Sequence, residues 1–414
     1  MKYDVAIIGA GAAGIACAKQ AAKYKLSAVL FERSLDNFGG TCLNKGCIPT
    51  KFFLNSSKLT KSWHRILEQK NSALEKIKQP TLDYLKRLGI DILFSEAKIL
   101  DGHIINADGK NIEARNIIIA TGSLPRLLIE NEKTIFAQDL FSYGNIPDKF
   151  LIVGAGYIGI EFASLLNNLG KDVTVIEKEN TILPFFDSYL ANRLRIVLEK
   201  KGIKIETEKD IHSYKLDSFD KIILSAGREP NTKGLGLEHV GIKCDDSGWV
   251  MTDEFMRTNI KNIYACGDIN GKKLLAYVAQ YQAKICLDNI IGKKTIEDYR
   301  AIADCVFSFP QIAKVGILEE EAKSKKMRYE ILKSNFLKFS SAHAYGDTDG
   351  FMQVIVGEGD VIIGAGIISN LAAELINIFS LAIKNKLTSE TVKSCVFVHP
   401  TLSEIIPFLF SETE

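Results

Sequence analysis

"YDVAIIGAGAAG", residues 3–14, is an apolar run that leads into three glycines spaced as Gly-x-Gly-x-x-Gly and then into small residues typical of a helix. The next apolar run, "AVLFE", ends on an acid, Glu32. Glycines at this spacing let a pyrophosphate approach the backbone at a helix N-terminus, and the acid accepts hydrogen bonds from a ribose. The stretch therefore predicts a βαβ unit that binds a dinucleotide.

The same pattern occurs a second time. "KFLIVGAGYIG", residues 149–159, repeats it, and "VTVIE" ends on Glu177 at the same distance from its third glycine. Each copy is followed by a strand-like run that ends in a small residue and a glycine, "NIIIATGS" (116–123) and "KIILSAGR" (221–228). One glycine pattern is weak evidence, but two copies with matching acids are strong evidence. We expect two Rossmann-like units that bind two dinucleotides.

Two further regions complete the predicted architecture. "IKNIYACGD", residues 260–268, is a third strand-like run, and its position suggests that the chain returns to the first unit. From about residue 303 the pattern becomes α+β without a nucleotide motif, with helices expected at about 318–326 and 371–385. The predicted fold class is α/β, with two Rossmann-like dinucleotide-binding domains and a C-terminal α+β domain.

The composition limits the partners and the compartment that we expect. A net charge of +2, with 46% hydrophobic and 25% charged residues, favours a globular protein and indicates neither nucleic acid nor an anionic membrane as partner. Glycines interrupt the N-terminal apolar run, and no other segment has the ~18 uncharged apolar residues of a membrane span. We therefore expect a cytoplasmic protein.

Two of the eight cysteines, Cys42 and Cys47, lie close together in "GGTCLNKGCIP", residues 39–49. In a reducing compartment such a pair favours a catalytic role, and the scattered spacing of the eight predicts no metal site. A helix expected to begin near Pro49 would stabilise a thiolate, which is the form that attacks disulfides. A dithiol at this position, after the acid of the first unit, can pass two electrons to a bound flavin. We expect ordinary buried side chains at Cys17, Cys266, Cys286, Cys305 and Cys395.

Together these motifs resemble those of the flavin-dependent pyridine nucleotide–disulfide oxidoreductases. The resemblance rests on both glycine units and on "GGTCLNKGCIPTK" (39–51), "GYIGIEF" (156–162), "GREPN" (227–231), "YACGD" (264–268) and "HPTLSE" (399–404). It runs in motif order from the first strand to the C-terminal region. Within the family it is strongest to the members that oxidise dihydrolipoamide.

The resemblance implies FAD in the first unit and NAD in the second. It divides the chain into an FAD-binding domain (1–137 and 258–302), an NAD-binding domain (138–257) and a dimerisation domain (303–414). Glu177 favours NAD, because a carboxylate at this position repels the 2′-phosphate of NADP. The expected cofactor-binding residues are Gly9, Gly11, Gly14, Glu32, Gly40, Thr41, Lys51, Thr121, Gly122, Gly154, Gly156, Gly159, Glu177, Gly227, Arg228, Gly267, Asp268 and Ala276. Asp268 would hold the ribitol side of the flavin.

Catalytic roles also follow from the resemblance. Cys47 would face the flavin ring as a thiolate, and Cys42 would exchange with the substrate. Lys51 and Glu161 match an ion pair near the reactive nitrogen of the flavin.

Thiol exchange also needs a base, because the incoming dithiol must lose a proton. Among six histidines His399 lies within a motif, and Glu404, five residues later, could accept a hydrogen bond from the imidazole and orient it. In the family this histidine comes from the partner subunit. The resemblance therefore implies a homodimer with shared active sites.

The implied reaction is oxidation of protein-bound dihydrolipoamide through a Cys42–Cys47 disulfide and FAD, with reduction of NAD to NADH. A lipoyl domain of a 2-oxo acid dehydrogenase or glycine cleavage complex is the implied partner. Departures from the family pattern surround substrate access, since Phe397 and Tyr277 stand where histidines are common. Two alternatives stay open: an NAD(P)H-dependent reductase of another disulfide, and a non-catalytic flavoprotein sensor or subunit.

Overall fold

The structure of the protein is a computed structural model that describes residues 2–411. None of the helices in that range is long and apolar enough to cross a membrane. The strands are β1 Tyr3–Ile8, β2 Ala28–Glu32, β3 Asp91–Phe94, β4 Ala97–Ile99, β5 Ile104–Ala107, β6 Lys110–Ile119, β7 Ser123–Pro125, β8 Thr134–Phe136, β9 Lys149–Val153, β10 Asp172–Ile176, β11 Lys204–Glu206, β12 Lys221–Leu224, β13 Arg228–Pro230, β14 Ile263–Ala265, β15 Asp304–Val306, β16 Gln311–Gly316, β17 Tyr329–Asn335, β18 Phe351–Gly357 and β19 Ile362–Ser369. The helices are α1 Ala12–Lys23, α2 Gly40–Asn44, α3 Cys47–Ser56, α4 Trp63–Arg87, α5 Tyr157–Asn168, α6 Ser188–Lys200, α7 Ala276–Ile290, α8 Glu319–Ser324, α9 Ser340–Tyr345, α10 Ala372–Lys384, α11 Ser389–Lys393 and α12 Ile405–Leu409.

The chain forms two compact units. Unit 1 comprises residues 1–126, 138–145 and 227–297, and unit 2 comprises residues 127–137, 146–226 and 298–414.

Unit 1 is built around a sheet in the order β3-β2-β1-β6-β5-β4, with β14 also paired to β6. Strands β3, β2, β1, β6 and β14 are parallel, whereas β4 and β5 extend the sheet antiparallel. Val5, Ala6 and Ile7 of β1 are fully buried, as expected for a parallel strand that is covered on both faces. The pairing of β14 with β6 confirms that residues 260–268 return to the first sheet.

Helices α1 and α7 pack together on this sheet because α1 presents small side chains. Its buried residues are Ala13, Gly14, Cys17, Ala18 and Ala21. Small side chains let the backbones of the helix and the strand approach closely. The N-terminus of α1, directly after the glycine turn, therefore lies close to the sheet. A separate ribbon in the same unit pairs β7 with β13 antiparallel.

Unit 2 contains a second Rossmann-like sheet, in the order β11-β10-β9-β12-β8, and all of its strand pairs are parallel. It also contains the antiparallel sheet β15-β16-β19-β18-β17. Helix α10 packs against β16 and β19, with Leu375, Ile376 and Phe379 buried in that core. The α/β class with two Rossmann-like sheets and a C-terminal α+β region is therefore confirmed.

The two units divide the chain differently from the boundaries given above. Residues 227–257 lie in unit 1, because β13 pairs with β7 directly after the second sheet is complete. Strand β8 lies in unit 2, because it pairs with β12. The assignment of residue ranges to FAD-binding, NAD-binding and dimerisation domains stays a prediction.

Candidate active site

The first glycine turn connects β1 to α1 and leaves no room for side chains. Gly9 has a φ of +102°, and a Cβ there would lie 2.5 Å from the Ala120 carbonyl oxygen. A Cβ on Gly14 would lie 1.7 Å from the carbonyl oxygen of Gly9. Gly11 precedes α1 without any side-chain cap, so the N–H groups of the first turn point to whatever binds there.

A carboxylate lies beside the turn. The backbone N–H of Ala10 donates to Glu32 Oε2 at 2.8 Å, which brings the acid at the end of β2 against the glycine segment. An uncapped helix N-terminus with a neighbouring carboxylate matches the pyrophosphate and ribose of a dinucleotide. The residues of this turn therefore fit FAD.

The second glycine turn, in unit 2, has the same construction. A Cβ on Gly159 would lie 1.9 Å from the Gly154 carbonyl oxygen, whereas the space around Gly156 is open to 4 Å. The Ala155 N–H donates to Glu177 Oε2 at 2.6 Å. The turn therefore fits a second dinucleotide, with the carboxylate placed as NAD requires.

The cysteine pair is attached to the first turn. The Gly39 N–H donates to the Ala10 carbonyl at 2.9 Å, and a Cβ on Gly40 would lie 2.6 Å from the Gly11 Cα atom. This close backbone contact holds the loop that carries both cysteines next to the predicted FAD site. Thr41 lies in the same short helix, α2, as Cys42.

Cys42 and Cys47 are both thiols, and their side chains interact with each other. Cys47 is exposed and is the first residue of α3, whereas Cys42 is half-buried. The hydrogen bond to Cys47, and then burial, raise the pKa of Cys42 well above its ordinary value. Cys47 lies at a helix N-terminus, a position that stabilises a thiolate. Lys51 lies in the next turn of α3.

Asp268 follows β14 and is held by Ser123 and Arg228. Ser123 Oγ donates to Asp268 Oδ2 at 2.6 Å, and Arg228 Nε donates to Ser123 Oγ at 2.6 Å. Burial lowers the pKa of Arg228, while Asp268 and Cys47 act in the opposite direction. The guanidinium therefore lies within the electrostatic reach of both the carboxylate and the exposed sulfur.

The backbone beside Asp268 is anchored from α7. The Gly267 N–H donates to Gln282 Oε1 at 2.7 Å, and Asn270 Nδ2 donates to the same oxygen at 3.0 Å. Gln282 is fully buried, and Ala276 begins the helix that carries it. An amide oxygen that accepts two hydrogen bonds is thus the support of this turn.

The segment that contains Thr121 and Gly122 contacts Asn231, which also lies in unit 1. Thr121 Oγ1 donates to the Asn231 carbonyl at 2.9 Å, and Asn231 Nδ2 donates to the Thr121 carbonyl at 3.1 Å. These bonds join the "ATGS" and "GREPN" segments, and Gly227 precedes the strand β13 that carries Arg228. The space around Gly122 is open to 4 Å.

His399 and Glu404 lie together in unit 2. His399 Nδ1 is 2.7 Å from Glu404 Oε2, and the imidazole is 73% exposed whereas the carboxylate is 14% exposed. Burial would raise the pKa of Glu404, but polar neighbours that include His399 outweigh it and hold the pKa below its ordinary value. The carboxylate is therefore ionised and can orient the imidazole.

A cavity of about 430 Å³ lies against this pair. The rings of Phe339, Phe397 and Phe408 form part of its lining. Glu161, elsewhere in unit 2, accepts a hydrogen bond from the Phe307 backbone N–H at 3.0 Å.

Three supporting residues were not among the sequence-based expectations: Ser123, Asn231 and Gln282. Ser123 and Asn231 end quoted motifs, so their position could have indicated them. Gln282 stands where the family pattern has an acid, but only the fold shows that α7 brings it to the Asp268 turn.

Two dinucleotide turns, a dithiol beside the first and an imidazole–carboxylate pair define the class: a dinucleotide-dependent disulfide oxidoreductase. Residues 3–283 match the pyridine nucleotide-disulphide oxidoreductase family, and residues 302–408 match its dimerisation domain. The chain belongs to this family. It is therefore an oxidoreductase whose cofactors are FAD and NAD, and the dimerisation domain indicates a homodimer.

Curated relatives and solved structures agree with this assignment. The chain is 33% identical to a dihydrolipoyl dehydrogenase of Chlamydia trachomatis serovar D, over 97% of this chain and 95% of that protein. It is 32% identical to the dihydrolipoyl dehydrogenase of Geobacillus stearothermophilus, over 98% and 95%. The structure of RclA from Escherichia coli, an HOCl-induced flavoprotein disulfide reductase, matches with a TM-score of 0.93 and 26% identity, over 100% of both chains.

Proposed function

We propose that the protein is a dihydrolipoyl dehydrogenase, which oxidises protein-bound dihydrolipoamide to lipoamide and reduces NAD to NADH. The observation that carries the proposal is the Cys42–Cys47 thiol pair, held against the first glycine turn with Cys47 at the start of α3. The curated relatives named dihydrolipoyl dehydrogenase support the choice of substrate.

In the proposed exchange, one thiolate of the substrate attacks Cys42 of a Cys42–Cys47 disulfide. A mixed disulfide forms at Cys42, and Cys47 leaves as the thiolate. The second thiol of the substrate then attacks the mixed disulfide, which closes lipoamide and releases Cys42. When bound, FAD supplies the transfer of the electron pair from this dithiol to NAD.

His399 is the proposed base for these steps. Its Nδ1 faces Glu404 at 2.7 Å, so its Nε2 is the atom that accepts the proton from the substrate thiol. We propose that His399 acts on the cysteine pair of the partner subunit, which makes each active site shared. The highly exposed imidazole supports this role, because it leaves Nε2 open to a second chain.

The remaining proposals concern cofactors, partner and compartment. The expected cofactor-binding residues keep their roles, with Glu177 selecting NAD, and Lys51 with Glu161 serving the flavin. The proposed partner is a lipoyl domain of a 2-oxo acid dehydrogenase or glycine cleavage complex. The cytoplasm is the proposed compartment, because a close cysteine pair with a catalytic role is typical of a reducing environment.

A second candidate function is the NAD(P)H-dependent reduction of a different disulfide. The match to a flavoprotein disulfide reductase over the whole chain favours it. Phe397 in the cavity beside His399 also favours a substrate that differs from those of the dehydrogenases, because an apolar ring replaces a polar one.

Anaerobic stopped-flow spectroscopy of the FAD-loaded protein distinguishes the two candidate functions. We expect dihydrolipoamide to reduce the enzyme within its turnover time and to produce a long-wavelength thiolate-to-flavin absorption, and NAD to restore the oxidised spectrum. The variant Cys244→Ser, which removes an exposed cysteine outside the site, is the control and should behave as the unchanged protein. Failure of dihydrolipoamide, with rapid NADH oxidation by another disulfide, would reject the first candidate.

A further inference from the structure

Three polar side chains of unit 1 form a chain of hydrogen bonds at the end of β14. Arg228 donates twice to Ser123, from Nε to Oγ at 2.6 Å and from Nη2 to the backbone carbonyl at 2.7 Å. The Ser123 hydroxyl then donates to Asp268 Oδ2 at 2.6 Å. Arg228 Nε itself is 3.8 Å from Asp268 Oδ2. The hydroxyl therefore bridges the guanidinium and the carboxylate.

We propose that Ser123 is a positioning residue, which together with Arg228 fixes the orientation of the Asp268 carboxylate for FAD. The inference rests on the proposed role of Asp268 in holding the ribitol side of the flavin. It adds Ser123, which was not among the expected site residues. It also gives Arg228 a second role, through Asp268, beside its expected contact with a cofactor.

The two oxygens of Asp268 are in different situations. Oδ2 accepts the Ser123 hydroxyl, whereas Oδ1 accepts no hydrogen bond from residues 2–411. A carboxylate held through one oxygen presents the other in a fixed direction, and it accepts a ligand hydroxyl without the loss of further side-chain freedom. Ser123 thus orients the free oxygen of Asp268.

Burial makes the hydroxyl hard to replace. Ser123 is 5% exposed, and the Arg228 side chain is 14% exposed. Without the hydroxyl, the Arg228 Nε–H and Asp268 Oδ2 would both lose their partner in a poorly hydrated place. Leaving charged groups unpaired in this way destabilises the arrangement.

The side chains that hold Asp268 come from segments that are distant in the sequence. Ser123 begins β7 and Arg228 begins β13, and the two strands pair antiparallel. The backbone of Asp268 is held separately, since Gln282 accepts the Gly267 N–H. The side chain of Asp268 is therefore held from the ribbon and its backbone from α7.

FAD binding to the apoprotein tests the proposal without any turnover. We expect Ser123→Ala to raise the Kd for FAD roughly tenfold or more, measured by quenching of flavin fluorescence. Ser123→Thr keeps the hydroxyl and should stay within about threefold of the unchanged protein. Ser334→Ala removes a buried serine whose hydroxyl has no hydrogen-bond partner, and serves as the matched control with an unchanged Kd.

A double-mutant cycle with Asp268→Asn decides whether Ser123 acts through Asp268. If it does, Ser123→Ala has little further effect on the Kd once the carboxylate is gone. Additive effects, or an unchanged Kd in Ser123→Ala alone, overturn the proposal. If the Ser123→Ala apoprotein does not fold by circular dichroism, Arg228→Lys, which loses the Nε donor, takes its place in the cycle. Because dihydrolipoamide is not used, failure of the proposed function leaves this result unaffected.

Discussion

At Cys42, the hydrogen bond to Cys47 and burial act in the same direction, and both raise the pKa of this thiol. The pKa of Cys42 is raised, while Cys47 lies exposed at the N-terminus of α3. This asymmetry agrees with the expected division of labour, in which Cys42 exchanges with the substrate and Cys47 serves the flavin. The two thiols are therefore not interchangeable.

Serine substitutions at the two positions should separate these roles. Cys42→Ser and Cys47→Ser should each lower NAD reduction by dihydrolipoamide by about three orders of magnitude, because the exchange needs both sulfurs. Cys42→Ser should keep the long-wavelength absorption after reduction, since Cys47 remains, and Cys47→Ser should lose it. Spectra of both FAD-loaded variants check this, and the reverse pattern would exchange the assigned roles.

His399 and Glu404 allow a prediction of pH dependence. Because the pKa of Glu404 lies below its ordinary value, the carboxylate keeps its charge above the ordinary carboxyl range and loses it only as the pH falls through the lowered pKa. The contribution of this carboxylate to kcat/KM should therefore stay constant at every pH above the ordinary carboxyl range.

The substitution Glu404→Gln tests this interpretation. It keeps a hydrogen-bond acceptor but removes the charge beside the imidazole, so we expect kcat/KM to fall roughly tenfold or more at every pH above the ordinary carboxyl range. Ser334→Ala again serves as control. An unchanged kcat/KM would falsify the pairing of imidazole and carboxylate in catalysis.

At the scale of elements, sequence patterns located both glycine turns and the strands that flank them. Helices expected at about 318–326 and 371–385 are α8, Glu319–Ser324, and α10, Ala372–Lys384. The helix expected near Pro49 begins at Cys47. Strand β17 was not expected, because "YEILKSN" is an edge strand whose outward residues are polar and whose pairing with β18 is set by the rest of the sheet.

The glycine turns allow a prediction at this scale. Gly14→Ala would place a Cβ 1.7 Å from the Gly9 carbonyl oxygen, a backbone atom that cannot move without opening the turn. We expect the variant to purify without FAD or to lose more than about 4 kcal/mol of stability.

The matched control is Gly144→Ala, where a Cβ would meet nothing within 4 Å. Flavin content after purification and thermal melting compare the two variants. Normal flavin content in Gly14→Ala would show that α1 does not pack on the turn as described.

At the scale of the whole molecule, the dimer is part of the proposed mechanism. The C-terminal region matches the dimerisation domain of the family and carries an imidazole that is largely exposed in the single chain. Ligand sites bury most of the ligand surface, so the proposed base is expected to be covered during catalysis. The proposed shared active site would account for the exposure.

Hybrid dimers test the shared site directly. Co-expression of a Cys47→Ser chain and a His399→Ala chain, each with its own affinity tag, and purification on both tags yields heterodimers. If His399 serves the partner subunit, one of two sites stays intact, and activity should be about half that of the unchanged dimer. A heterodimer in which both chains carry His399→Ala is the control. Activity as low as in that control would place the imidazole in its own subunit's site.

The sequence by itself determined the family, both glycine turns with their acids, the close cysteine pair and the candidate base. These are local patterns, since a turn that binds a phosphate and a helix that begins at a thiol each need only a short segment. The hydrogen bond between Ala10 and Glu32 lies within one βαβ unit. The hydrogen bond between His399 and Glu404 joins residues that are five positions apart.

Only the tertiary structure decided which side chains support those motifs. Ser123, Arg228 and Asp268 come from separate strands, and Gln282 reaches the Asp268 turn from a helix that follows it. The early return of the chain to unit 1 at residue 227 was equally hidden, because it depends on the pairing of β7 with β13. Contacts of this kind arise from the packing of segments distant in sequence, and no local pattern of residues records them.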